Sequence, residues 1–386
     1  MQREAARGAI KSRRRSAYYD YNLLAVVIIL ICFGLVMLYS ASSYEASNEF
    51  GDDMFYFGRQ ALISAGAVAA ALGISRVDYH IFKKWSLHLF VLALILMAMV
   101  KFTPLGVASG GARRWLNLGI QFQPAEIAKV AVILFLPFVI LKMGKKVRQR
   151  KAVLTLLGIG LIQAAAAYLL TDNLSTAIII MAISVVIVFL AHPQTRPFLV
   201  ALLIAAAIIA AILALLYMYV DGTDDFRLNR ILTWFHPEEH QDTGGWQVLQ
   251  GLYAIGSGGF FGKGLGNSVQ KLSNIPEAQN DMIFSIICEE LGLFGAILLL
   301  LLFGYLLYRL FFIAQNAPDL YGTLIVSGIF AHIALQVILN VCVVLNVIPT
   351  TGVTLPFVSY GGTSVLFLMS EIGVALSVAR RIRLDS

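Results

Sequence analysis

Apolar runs of membrane-spanning length recur along the whole chain, separated by short clusters of charge. A span needs about 20 mainly apolar residues. Stretches 21–44, 60–75, 85–100, 152–171, 173–195 and 197–220 contain no Asp, Glu, Lys or Arg and meet or approach that length. A seventh apolar run at 123–143 is interrupted by Glu126 and Lys129, and another at about 282–308 is entered through Glu289 and Glu290. From Leu320 to Ser370 there is again no Asp, Glu, Lys or Arg, which is room for two helices around a Pro/Gly-rich break near 348–362. The pattern predicts an all-α membrane protein of about ten transmembrane helices. The first helix is too long, and lacks the small-residue cleavage site, to be a removed signal peptide.

Composition agrees with that solvent. Of 386 residues, 59% are hydrophobic and 13% charged, against about 25% charged in soluble domains. Placing the ten spans with the N-terminus inside puts 20 of the 29 Lys and Arg in cytoplasmic segments, as the positive-inside rule demands. Both termini are then cytoplasmic, in the inner membrane. The chain divides into a basic tail at 1–20, one ten-helix domain at 21–380 and a short tail at 381–386. The net charge of +7 is explained by loops that attract anionic lipid, so no nucleic-acid partner is implied. Cys32, Cys288 and Cys342 lie in or at the start of spans and suggest neither a disulfide framework nor a metal cluster.

The largest departure from membrane helix is the insert 221–281 between the seventh and eighth spans, which this topology places outside. It is net acidic, yet it carries Trp234, Phe235, Trp246, Tyr253, Phe260 and Phe261 and a Gly-dense stretch from Gly251 to Gly266. Such aromatic content is not that of a disordered segment, so the loop is expected to fold against the membrane. Asp281 stands where it enters an apolar helix, after Pro276, Glu277, Ala278, Gln279 and Asn280. An acid there is either a helix cap or a candidate base.

Ionisable residues inside a membrane are functional candidates because they are costly to bury. Glu126 and Lys129, three apart on one helix, can pair with each other or face substrate. Glu289 and Glu290 cannot both face lipid. The loop between the third and fourth spans holds Arg113, Arg114 and Trp115 on the side where basic residues are disfavoured. Arg grips phosphate in bidentate fashion, so this trio reads as an anchor in the lipid head groups or as a site for an anionic lipid-linked substrate. There is no Walker loop, no dinucleotide fingerprint and no H-E-x-x-H, which argues against ATP hydrolysis, redox chemistry and zinc proteolysis.

Four blocks of sequence carry a resemblance. They are Gly111-Ala112-Arg113-Arg114-Trp115 with Gln123-Pro124-Ala125-Glu126 and Lys129; Gly256 to Gly266; Pro276-Glu277-Ala278 with Asn280-Asp281 and Glu289-Glu290-Leu291-Gly292; and Pro349-Thr350-Thr351-Gly352 with Leu355-Pro356-Phe357 and Ser359-Tyr360-Gly361-Gly362. In order and topology the chain resembles the SEDS proteins, the FtsW/RodA/SpoVE family of peptidoglycan polymerases. Ser268, Gln270, Lys271 and the Pro-Glu-Ala-x-Asn-Asp wording side with the FtsW/SpoVE branch. Where many members read Gln-Pro-Asp-Leu-Gly-Thr-Ala, this chain has Thr171-Asp172-Asn173-Leu174-Ser175-Thr176-Ala177, so Asp172 is given no role.

The resemblance implies a glycosyltransferase that polymerises lipid II, an undecaprenyl-pyrophosphate-linked disaccharide pentapeptide, into glycan strands outside the membrane for cell division or related wall synthesis. Asp281 matches the essential aspartate, and Trp115 a functionally important position. Arg113, Arg114, Lys129 and Lys271, or a divalent cation such as Mg or Mn, are candidates to hold the pyrophosphate. Glu126, Glu277, Glu290, Ser359 and Tyr360 complete the expected substrate site. The partners implied are lipid II, a class B penicillin-binding protein that cross-links the strands, and other membrane proteins of the divisome or elongasome. The chief alternative is a lipid II flippase using the intramembrane charges Glu126, Lys129 and Glu290; a scaffold without activity would leave Asp281 and the Arg pair idle.

Overall fold

The computed structural model describes residues 19–109, 112–119, 121–219, 226–272 and 275–383. Most of the basic tail at 1–20 lies outside them, as does the end of the C-terminal tail at 381–386. Every expected span is a helix. They are α1 (Tyr21–Phe50), α2 (Phe55–Arg76), α3 (Ile81–Phe102), α4 (Pro124–Met143), α5 (Arg150–Thr171), α6 (Leu174–Ala191) and α7 (Arg196–Tyr219). Two short helices follow, α8 (Phe226–Phe235) and α9 (Gly245–Gly258), and then α10 (Ile283–Asn316), α11 (Leu320–Val344) and α12 (Ser364–Ala379). Among the described residues nine helices are long and apolar enough to cross a membrane, and α12, with 16 residues, is the shorter tenth.

Several helix starts are fixed by side chains that satisfy otherwise orphaned amides. Asp20 accepts from the Leu23 amide at 2.9 Å, Asn173 from Thr176 at 3.0 Å and Asp319 from Gly322 at 2.7 Å. Asp20 also pairs with the buried Arg309 of α10 at 2.7 Å, so one carboxylate both starts α1 and ties it to α10. Within the bundle α2 packs on α12, α5 on α6 and α4 on α3. The seventh span differs: none of the α7 side chains from Arg196 to Met218 is buried.

Two regions depart from the sequence expectation. The segment after α3, expected to be a plain loop, forms a three-stranded antiparallel sheet of β1 (Gly106–Ser109), β2 (Ala112–Asn117) and β3 (Gln121–Phe122). Its pairing runs Gly106 to Leu116 and Val107 to Trp115, then skips to Ala108 and Arg113. Arg114 is therefore the extra residue of a bulge, a device that re-aims a side chain.

The second departure explains the short tenth helix. After α11 the chain does not start a new span at once. Val353, Leu355, Pro356, Phe357, Val358 and Ser359 are all buried without helical structure. They press on the middle of α1, where a Cβ on Gly34 would lie 2.6 Å from the Val358 Cα. Irregular backbone at membrane depth is tolerated only inside protein, and here α1 and α11 supply that cover. Helix α10 also bends, because Gly292 takes φ 67° and ψ −168° in its interior.

Candidate active site

Asp281 lies in the run of turns that leads into α10. Glu277 occupies the left-handed region at φ 50°, and the Asn280 amide and side chain return to it at 2.9 and 3.0 Å. Ala278, Gln279 and Met282 are buried on either side. The N-cap of α10 is Met282, with no side-chain cap bond. The Asp281 carboxylate is thus not spent on capping, the alternative its position had suggested. Its oxygen Oδ1 receives a long hydrogen bond of 3.4 Å from Gln247 Nε2 of α9.

Burial raises the Asp281 carboxyl to about 6, and the negative charge of Glu277 adds to the effect. Its own backbone amide and the positive charge of Arg230 oppose the rise. Desolvation and a like charge both disfavour the ionised form. Arg230 comes from α8, and its Nη1 donates to the Thr350 carbonyl at 3.2 Å. In the same helix Trp234 Nε1 donates to the Asn346 carbonyl at 2.9 Å. Helix α8 is therefore pinned along the segment that follows α11. Nothing in the sequence analysis gives Arg230 a role; the signal that could have found it is the amphipathic pattern of 226–235, with Arg230 on a helix otherwise committed to packing.

Ser359 and Tyr360 meet this centre from the buried segment. Ser359 Oγ accepts from the Leu355 amide at 2.8 Å, closing a turn. The Tyr360 amide donates to the Gln279 carbonyl at 2.9 Å, two residues from Asp281. The Tyr360 ring meets Tyr56 edge-on at 5.0 Å between centroids.

Glu289 and Glu290 are both fully buried. Glu290 pairs with Lys271 at 2.8 Å, and Ser40 Oγ of α1 lies 2.7 Å from both its oxygens. Glu289 pairs with Lys263 at 2.6 Å, bonds Ser268 Oγ and accepts from the amides of Val269 and Gln270 at 3.2 and 3.3 Å. The Gly-dense stretch is the other half of this lock. Backbone amides of Lys263 and Gly264 donate to the carbonyls of Glu289 and Glu290 at 2.9 Å, and Leu293 donates to Gly259 at 3.0 Å. A Cβ on Gly262 would run into the Glu290 carbonyl, and one on Gly292 into Gly262. Only glycine lets the two backbones approach so closely.

The remaining candidates sit on the sheet and α4. Arg113 is spent on backbone: Nε donates to Gly106 at 3.1 Å, Nη2 to Thr103 at 2.7 Å and Nη1 to Lys101 at 3.4 Å, which finishes the carbonyl end of α3. Arg114 reaches toward the Asp172 carbonyl at 3.4 Å, and Trp115 is half-buried beside it. Lys129 and Glu126 pair at 2.8 Å, both nearly inaccessible. Among the described residues no three His, Cys, Asp or Glu side chains converge on a cation site.

The arrangement finds close counterparts. The FtsW/RodA/SpoVE model, described as cell cycle protein, matches residues 20–384. Stage V sporulation protein E of Bacillus subtilis (strain 168) is 37% identical over 94% of this chain and 97% of its own length. A probable peptidoglycan glycosyltransferase FtsW of Geobacter sp. (strain M18) is 35% identical over 96% and 99%. Among solved structures, a chain from a peptidoglycan synthase complex that coordinates polymerization and crosslinking superposes with a TM-score of 0.77 at 27% identity, over 94% of this chain and 98% of that one. The rod shape determining protein RodA of Thermus thermophilus gives 0.66 at 27% identity over 95% and 98%. With nearly its whole length matched in sequence and in fold, the chain belongs to the FtsW/RodA/SpoVE family.

Proposed function

We propose that this protein is a peptidoglycan glycosyltransferase that polymerises lipid II on the outer face of the cytoplasmic membrane, with Asp281 as its general base. The observation that carries the reading is a carboxylate with a raised pKa that caps nothing and stands beside an arginine, in a chain whose relatives bear that activity in their names. In the proposed step a sugar hydroxyl of the acceptor gives its proton to an Asp281 oxygen while its own oxygen attacks the anomeric carbon. The bond from that carbon to the pyrophosphate oxygen breaks, and the pyrophosphate departs as an anion. One carboxylate suffices for this single inverting displacement, unlike a glycoside hydrolase, which needs two.

The leaving charge requires a cation near the departing pyrophosphate. Arg113 is engaged by three carbonyls, Lys129 by Glu126 and Lys271 by Glu290. Arg114 is the member of the expected set that the bulge re-aims, and Arg230 adds a positive charge beside the base. The same pairings weaken the flippase alternative, because Glu126, Lys129 and Glu290 are all held in ion pairs rather than lining a path. The partner that fits is a class B penicillin-binding protein, since the superposing synthase complex joins polymerization to crosslinking.

Reconstitution with lipid II, alone and with such a partner, tests the reading: glycan chains on a gel are the expected product. The pH dependence has a fixed sign. The base must be ionised, so with a pKa of about 6 the rate should be near its plateau at neutral pH and fall about tenfold per unit below pH ~6. A rate flat down to pH ~4.5 would remove a titrating base of this kind. Orientation is tested separately by labelling from outside, which should modify a cysteine placed at Glu238 and spare one placed at Lys146.

A further inference from the structure

Asn340 makes a contact that the chemistry above does not use. Its Nδ2 donates at 2.8 Å to the Asp281 carbonyl and at 2.8 Å to the Val353 carbonyl. Those two acceptors belong to different irregular segments, the turn before α10 and the buried segment before α12. Only an NH₂ can face two carbonyls, so the orientation of the amide is set by its partners. Both amide hydrogens are consumed, which leaves Oδ1 buried with no partner among the described residues.

Two further atoms share that condition. Gln336 Oε1 and His332 Nε2 are buried without a partner among the described residues, on side chains of residues only 4% and 1% exposed. His332, Gln336 and Asn340 are four apart, so they lie along one face of α11. The imidazole is held from its other nitrogen: Nδ1 lies 2.8 Å from Glu371 of α12. His332 is the central residue of α11, twelve positions from Leu320 and twelve from Val344. A polar column therefore descends from the backbone of Asp281 to the middle of the bundle.

Successive members rise about 6 Å along the axis, a step of the size that one or two hydrogen-bonded waters bridge. Buried polar atoms in native proteins nearly always find a partner, and internal water supplies it where protein does not. Resting on the reading of Asp281 as base, we propose that Asn340 is a positioning residue for Asp281, locked in turn by a file of internal water that joins its Oδ1 to Gln336 and to the His332–Glu371 pair. A donor at Oδ1 keeps the amide from rotating, and the amide fixes the height of Asp281 against the buried segment. The device works on geometry, so it acts on turnover and not on substrate affinity.

The test uses the full chain in lipid nanodiscs with its penicillin-binding partner and lipid II. Asn340→Asp keeps the shape and loses the donors; Asn340→Ser is the uncharged companion should a buried carboxylate impair insertion. Gln336→Leu removes the acceptor one turn below. The expected result is a 10–100-fold fall in kcat for the Asn340 variants, since misplacement by about 1 Å can cost 10²-fold, with KM for lipid II within about twofold. Gln336→Leu should lower kcat in the same way, and Gln336→Glu, which keeps an oxygen in place, should restore part of it. Normal kcat in both Asn340 variants, or a loss confined to KM, overturns the positioning role. Normal kcat in Gln336→Leu beside impaired Asn340 variants overturns the water file. An active Asp281→Asn protein would instead remove the base on which the proposal rests, a result that normal Asn340 variants could not produce.

Discussion

Asp281→Asn is expected to leave a protein that is made, inserted and bound to its partner, while polymerisation falls by about 10²–10⁴-fold, the usual cost of losing a general base. The change keeps the shape of the side chain. It also keeps a group able to bond Gln247, whose present contact of 3.4 Å is weak in any case. Stability should not suffer and should rise slightly. Burial holds the carboxyl near 6, above its ordinary value, so at neutral pH the folded state carries a charge it disfavours. The folded state gains on protonation, hence the sign: ionised Asp281 costs stability above pH ~6, and the neutral amide avoids that cost. Gel-resolved glycan product alongside thermal unfolding measures both halves. Robust synthesis by a well-folded Asp281→Asn protein would take Asp281 out of the mechanism and bring Glu277 forward.

Lys271→Met should do the reverse, harming the fold more than the chemistry. Glu290 is fully buried and its main charge partner is Lys271, with Ser40 Oγ and the Ser268 amide also bonded to it. Removing one member of a buried pair leaves an uncompensated charge and costs about 3–5 kcal/mol, whereas replacing both with uncharged groups is often neutral. The single variant should therefore show low yield and a lowered unfolding temperature. The double variant Lys271→Met with Glu290→Gln should recover most of both, and with them polymer synthesis. If Lys271 instead grips pyrophosphate, the double variant would fold well and remain inactive. That contrast separates a brace from a substrate ligand more cleanly than either single change.

The spans were legible because lipid permits few solutions: charge gaps of the right length must be helices, and all ten were found near their expected places. What escaped were the exceptions to helix. Residues 116–122 alternate apolar and polar positions as strands do, but Gly110-Gly111 and Arg113-Arg114 break that pattern in the stretch before them and read as binding residues instead. The buried segment before α12 reads as apolar with Pro and Gly, which marks a break without saying that it turns inward against Gly34. Asp281 stood out by position, and Glu289 and Glu290 by their cost in lipid, since isolated charges are visible in any window of sequence. Arg230 and Asn340 did not, because their meaning lies in partners more than 50 positions away. A neutral amide in a helix carries no mark of what it holds.

Helix α7 has no buried side chain from Arg196 to Met218; apart from Phe198 and Tyr217, whose rings meet Phe189 and Phe235, most of its residues answer to the solvent. For such a segment natural selection can read overall oiliness and length, about 36 Å for 24 residues at 1.5 Å each, and little else. Its spelling is then free to drift among Leu, Ile, Val and Ala. Between distant descendants this helix should be the stretch where letters diverge fastest while the count of letters stays the same, a neutral clock set beside the slow-changing lock of Glu289 and Glu290.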